Sequence, residues 1–182
     1  MDRQPTLEGS TLLLRPLCPD DWDALFAVAS DPPIWEVHPG HDRWQEPVFR
    51  LFFADALAHC GALAVTDLES GRIVGSSRYQ AYDPAEGGSV EVGWSFLERA
   101  LWGGAANREM KRLMLEHAFR FVERVDFRVG EDNVRSRAAM IKIGGRLSER
   151  SSVAEMAGRQ VRHVIFEITR ESFTSGPLSR PE

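Results

Sequence analysis

The segment Trp102-Gly103-Gly104-Ala105-Ala106-Asn107-Arg108-Glu109 sets small side chains directly ahead of a helical pattern. Small residues let a ligand approach the backbone, and the unpaired N–H groups and dipole of a first helical turn favour an anion. A pyrophosphate suits such a place. A tight turn with Asn107 as N-cap accounts for the same residues equally well. No Lys-Ser or Lys-Thr closes the loop as in a Walker motif, and the three spaced glycines of the dinucleotide fingerprint are missing. Glu91 is the second chemical group, on the strand face opposite Val90, Val92 and Trp94. A carboxylate there could take a proton from an attacking ammonium, directly or through water, once burial lifts its pKa. A pairing with a neighbouring arginine such as Arg78 is an equally weighted reading. The third group is the irregular stretch Ile34 to Trp44, with Trp35, His38, His41 and Trp44, joined by Arg78 and Tyr79, because binding residues gather on loops around a rigid core. His38 and His41 flank Pro39-Gly40, which breaks helical ligand geometry, so they read as pocket or turn histidines and no metal is expected.

These groups need positioning elements. Thr11 to Arg15 reads as a strand ending at Pro16, followed by a helix that starts at Pro19 and carries Trp22, Leu25, Phe26 and Ala29 inward. A second helix runs from about Pro47 to His59 with Phe49, Phe52, Phe53, Ala56 and Leu57 inward. The period then changes to that of strands, at Ala62 to Thr66, Ile73 to Tyr82 and Val90 to Leu97, an antiparallel meander. Asn107 to Arg124 returns to helical spacing, Val125 to Val129 to strand, and Val134 to Ile143 to a short helix stopped by Gly144-Gly145. Two last strands surround Ala157-Gly158.

At 182 residues the chain suits one domain, from 7 to 173, with 1–6 frayed and 174–182 a flexible tail. A formal net charge of -5 argues against a nucleic-acid partner, and no apolar run is long enough for a membrane. Cys18 and Cys60 form no disulfide or metal pattern, which fits a reducing cytoplasm. No Gly-x-Ser-x-Gly elbow suggests a serine hydrolase, and neither cysteine has a thiolate-activating context.

Val90-Glu91-Val92-Gly93-Trp94-Ser95-Phe96-Leu97, then Trp102 to Glu109, then Asn133-Val134-Arg135-Ser136 and Lys142-Ile143-Gly144, resemble the GNAT acetyltransferase superfamily. The opening Leu14-Arg15-Pro16-Leu17 with Asp21 resembles, more narrowly, the branch that acetylates N-terminal amines of ribosomal proteins. The resemblance implies a single-domain α/β (α+β) fold, a twisted, mostly antiparallel mixed sheet of about seven strands with a V-shaped splay, flanked by about four helices. It implies acetyl-CoA in the V, with the backbone from Ser95 through Phe96 to Leu97 holding the pantetheine arm and Ser95 polarising the thioester carbonyl. By the same resemblance Trp102, Gly103, Gly104, Ala105, Ala106, Asn107 and Arg108 take the pyrophosphate, and Asn133 and Ser136 touch the far side of the arm. The family's loop pattern falls here on Trp102, Ala105 and Asn107, and Met140 stands where many relatives carry a proton-donating Tyr. The implied function is acetyl transfer to a primary amine, a protein N-terminus or a small molecule, by direct attack in a ternary complex with Glu91 as base. The alternative is a non-catalytic acyl-CoA-binding or protein-interaction module. Exposed sheet edges would suit a homodimer.

Overall fold

The computed structural model describes residues 1–179. Strands β1 (Leu7–Glu8) and β2 (Leu12–Pro16) precede helices α1 (Trp22–Ala29) and α2 (Glu46–Ala58). The meander β3 (Ala62–Asp67), β4 (Ile73–Asp83) and β5 (Ser89–Leu97) leads to α3 (Ala106–Ala118), β6 (Arg124–Gly130) and α4 (Val134–Lys142). The hairpin β7 (Arg146–Met156) and β8 (Arg159–Thr169) and the short α5 (Arg170–Thr174) complete the chain. The described residues form one eight-stranded sheet, in the order β1-β2-β3-β4-β5-β6-β8-β7. Only β5 and β6 pair in parallel, joined through the α3 crossover. The single-domain α/β fold with a mostly antiparallel sheet is as the sequence reading has it, with one more strand and one more helix.

Strand alternation builds two cores. On one face Leu14, Val65, Val92 and Val125 pack with Met110 and Met114 of α3. On the other Ala64 and Phe96 pack with Leu25 of α1 and Phe49 and Phe53 of α2. Each fully buried side chain of this size contributes roughly 1.5–3 kcal/mol, so α2 and α3 are clamped from opposite sides of β5. Glu109 in the first turn of α3 adds a polar clamp: Oε1 accepts from the Ser10 hydroxyl at 3.0 Å and the Thr11 amide at 3.0 Å.

Three expectations change. The long helix stops at Ala118, not Arg124, because the Glu123 amide is captured by the carbonyls of Gly87 and Gly88 at 2.9 and 3.1 Å. Val122 still faces the core from a turn, which is why apolar spacing overran the helix. The first helix opens as a 3-10 turn, Pro19–Asp21, whose Asp21 pairs with Arg15 at 2.6 Å and accepts from the Cys18 amide at 2.9 Å. The ends pack where the sequence reading leaves them loose. His117 Nε2 lies 2.8 Å from the Asp2 carbonyl, and Leu178 is buried in the α3-side core. The last part of the expected tail, 180–182, lies outside the described residues.

Candidate active site

Pairing between β5 and β6 covers Ser89↔Arg124 to Glu91↔Asp126 and stops. Beyond that point β6 stays with β8 as far as Gly130↔His163, while β5 stays with β4 as far as Gly75↔Leu97. From Val92 onward one edge of β5 therefore faces a gap. A bulge sits at the same place. Arg78 pairs with Gly93 and Ser76 with Phe96, leaving Ser77 opposite both Trp94 and Ser95. Trp94 takes the left-handed conformation, φ 52°, which costs a non-glycine residue of order 1–3 kcal/mol and sharpens the local twist. The sheet is pried open by its own bulged strand.

A cleft of about 600 Å³ runs from this gap to the start of α3, a size that suits a cofactor-sized ligand. Ser95, Phe96 and Leu97 form one wall, the Trp102–Gly104 loop and Asn107 a second, and Asn133 and Ser136 of α4 a third. Asn107 is not the N-cap. Ala105 holds that position and has no side chain to offer, so Asn107 lies inside the helix. The backbone N–H groups of Gly103, Gly104, Ala105, Ala106 and Asn107 have no hydrogen-bond partner among the described residues. An uncapped first turn beside a cleft is the arrangement an anion completes. Gly103 sits at φ 76° with open space where a Cβ would be. Trp102 is braced rather than free. Its Nε1 donates to the Leu97 carbonyl at 3.0 Å, and the Arg135 guanidinium lies 4.1 Å from its ring. Arg135 also donates to the carbonyls of Pro33 and Ile34 at 3.3 Å, tying α4 to the loop across the cleft. Asn133 caps α4 through the Ser136 amide at 3.1 Å.

The other side of the fork holds charged side chains. Glu91, 7% exposed, accepts from Arg128 at 3.1 Å. Burial pushes its carboxyl above the usual range; Arg128 opposes this and Asp126 adds to it. The Arg78 partner expected for Glu91 is taken elsewhere. Arg78, 1% exposed, pairs with Asp55 of α2 at 2.6 Å and lies 4.8 Å from the Trp94 ring. Its Nε and Nη2 have no partner among the described residues. His38 lines the cleft, edge-on to Trp35, and its Nδ1 accepts from the Gly40 amide at 2.9 Å. Burial, with Arg43 and His163, lowers the imidazole to about 3, so it stays neutral.

The structure thus gathers Ser95, Phe96, Leu97, Trp102, Gly103, Gly104, Asn107, Arg108, Asn133 and Ser136 with Trp35 and His38 around one cleft. Neither Glu91 nor four of the residues expected at the acceptor line it; Arg78, paired with Asp55, is the first of those four. Tyr79 points into the α3-side core, where its hydroxyl donates to the Met114 carbonyl at 2.6 Å. His41 and Trp44 lie on the exposed surface outside the cleft. Alternation along β4 separates Tyr79 from Arg78, a distinction hidden when the two are read as neighbours. Met140 is buried and offers no proton. Sequence reasoning missed Arg43, whose guanidinium lies 4.8 Å from the Phe52 ring and is lowered to about 10 by burial and by Arg78. It also missed Arg128, Arg135 and Lys111, ordinary charges in ordinary helix and strand patterns.

A split sheet with an uncapped helix start on one side and a buried carboxylate on the other defines a group-transfer enzyme for a donor with an anionic tail. The acetyltransferase (GNAT) domain family matches residues 11–146, and the chain belongs to that family: it is an acetyltransferase that uses acetyl-CoA. No curated relative matches the chain. Among solved structures, it is similar to a GCN5-related N-acetyltransferase from Brucella melitensis, with TM-score 0.80, 23% identity, and 93% of this chain and 80% of that one covered. It is similar to RimJ of Mycobacterium smegmatis, solved in complex with CoA-disulfide, with TM-score 0.68, 19% identity, and 92% and 86% covered. It is also similar to a ribosomal-protein-S5-alanine acetyltransferase from Vibrio fischeri, with TM-score 0.63, 13% identity, and 93% and 99% covered. Among the described residues no helix is long and apolar enough to cross a membrane, and no three His, Cys, Asp or Glu side chains gather as a metal site.

Proposed function

We propose that this enzyme acetylates a primary amine, a protein N-terminus or a small-molecule amine, by direct attack within a ternary complex. The observation that carries this reading is the position of Glu91, the last residue of β5 paired with β6 before the two strands part. A carboxyl held above its usual range at the apex of the fork is matched to removing a proton from an ammonium near neutral pH. Bound acetyl-CoA supplies the activated acetyl group. The N–H groups of Gly103 to Asn107 would hold its diphosphate, the unpaired edge of β5 from Ser95 to Leu97 its arm, and Asn133 and Ser136 the opposite side. Free strand-edge donors also stabilise an oxygen on which negative charge develops. RimJ of Mycobacterium smegmatis, a structural neighbour, was solved with CoA-disulfide, and the Vibrio fischeri neighbour is named for an alanine of ribosomal protein S5, which supports the donor and a protein acceptor. The free edge of β7 is where a second copy would pair, and sedimentation at rising concentration tests that.

The test is thiol release from acetyl-CoA with a panel of N-terminal peptides, amino acids, polyamines and amino sugars. Release that depends on one amine class, with the acetyl group found on nitrogen, is the expected outcome. Binding of acetyl-CoA with no release for any acceptor would favour a non-catalytic module instead.

A further inference from the structure

Lys111 lies on α3 between Met110 and Leu113, 2% exposed, at a position where an apolar residue would pack without cost. A buried amine with no carboxylate beside it is expensive, so its presence asks for a reason. Its surroundings supply one. The ammonium donates to Ser95 Oγ at 2.5 Å and lies 5.7 Å from the Phe127 ring, so it touches β5 on one side and β6 on the other. It sits in the floor of the fork. Ser95 is its one hydrogen-bonding partner among the described residues, and Ser95 is exposed to the cleft.

The hydroxyl of Ser95 stands 2.7 Å from Ser77 Oγ and 3.3 Å from the Gly93 carbonyl. With Lys111 donating to it, and Ser77 able to donate as well, the proton of Ser95 is left to point at Gly93 or into the cleft. Two donors feeding one hydroxyl polarise its O–H bond towards whatever acceptor arrives. Burial alone lowers the lysine to about 7, so the ammonium releases a proton far more readily than a surface lysine does. Met140 leaves the leaving thiolate without the acid that many relatives provide.

We propose that Lys111 is a positioning residue that, acting through Ser95, supplies the proton taken up by the departing sulfur. This rests on the transferase reading above. As the carbon–sulfur bond breaks, its electron pair stays on sulfur. Ser95 Oγ gives its proton to that sulfur, forming the thiol, and takes one from Lys111 Nζ, leaving a neutral amine. The amine recovers a proton from solvent through Ser95 once product has left. The protons shed by the acceptor ammonium go to Glu91 and water on the other side of the fork, so the two transfers do not compete.

The experiment compares wild type, Lys111→Met, Lys111→Arg and Ser95→Ala by three readouts. The first is the ultraviolet absorbance of bound coenzyme A thiolate against pH, which needs no turnover. At pH 7 and below, where the ammonium is present, the thiolate fraction of the bound thiol should be about tenfold higher in wild type than in Lys111→Met or Ser95→Ala, as for a shift of about one pH unit. The second is the pH profile of kcat: wild type should lose rate as Lys111 deprotonates, and both variants should run about tenfold or more slower with that alkaline limb gone and KM for acetyl-CoA little changed. Lys111→Arg should keep part of the thiol shift. The third is thermal melting, in which Lys111→Met should equal or exceed wild type, since a buried charge has been removed. An unchanged bound-thiol titration in Lys111→Met and Ser95→Ala overturns the proposal, as does a melting loss that accounts for the whole fall in rate. Should Lys111→Met fail to fold, Ser95→Ala alone decides through the titration. Failure of wild type to acetylate any amine would sink the transferase reading while leaving the thiol titration to judge Lys111.

Discussion

The two sides of the fork are built by different means. On the α3 side the cleft is built from main chain: the unpaired edge of β5 and the uncapped first turn at Gly103 to Asn107. On the α2 side, beyond the residues that line the cleft, stand paired charged side chains, Glu91 with Arg128 and Arg78 with Asp55, drawn from three strands and a helix. Main-chain recognition requires little of sequence beyond small residues and a strand that stops pairing. Side-chain recognition requires particular residues in exact register, and those residues are free to change with the acceptor. On the proposed reading the α3 side, for the donor, would be the generic half of the molecule and the α2 side, for the acceptor, the individual half.

Glu91→Gln should break the comparison hardest. Loss of a general base lowers turnover by about 10²–10⁴-fold. The amide stays beside Arg128, so affinity for acetyl-CoA should hold. Steady-state rates alongside calorimetry separate the two, and an unchanged rate across pH would remove Glu91 from the chemistry. Arg78→Ala comes next. It removes a fully buried side chain that bonds Asp55 and stacks on Trp94, at a cost of about 2–3 kcal/mol in urea unfolding. Arg78→Met should recover most of that, because it fills the space without the two unpartnered donors. Gly103→Val tests the other half. Strain at φ 76° and a branched side chain beside the loop should weaken acetyl-CoA binding about tenfold in calorimetry, with kcat at saturating donor held within a few-fold.

The last effect is one of pH. His38 titrates at about 3 in the folded chain against 6.5 as a free group. Between those values the unfolded chain binds the extra proton, so stability is fully present above pH 6.5 and is lost as pH falls towards 3. His38→Asn keeps an acceptor for the Gly40 amide and does not titrate. Its urea midpoint should fall less steeply than that of wild type over that window.

Much of the fold was legible because its periods are clean. The meander, the crossover helix and the closing hairpin are visible in alternation and in 3.6-residue spacing, and the short run from Trp102 to Asn107 marks the loop that enters α3. What escaped did so for identifiable reasons. Whether Asn107 or Ala105 begins α3 depends on one turn of backbone, and pattern reading places helix ends only to within a turn. Tyr79 and Arg78 are adjacent in sequence and opposite in space. Lys111 sits in a helix that otherwise presents methionines and leucines to the core, and only the folded structure shows that its ammonium reaches Ser95 beside the gap between β5 and β6.

The burial of Leu178 has a practical side. Pro177 packs over Gly144 at the end of α4, and its carbonyl accepts from Arg108 in the first turn of α3. The carboxy-terminal segment is thus a strut between the end of α4 and the first turn of α3. Trimming by a carboxypeptidase as far as Ser175, or a truncated expression boundary, should loosen the start of α3 well before the sheet gave way. An affinity tag is safer at the opposite terminus only if the Asp2 contact to His117 is spared by a spacer.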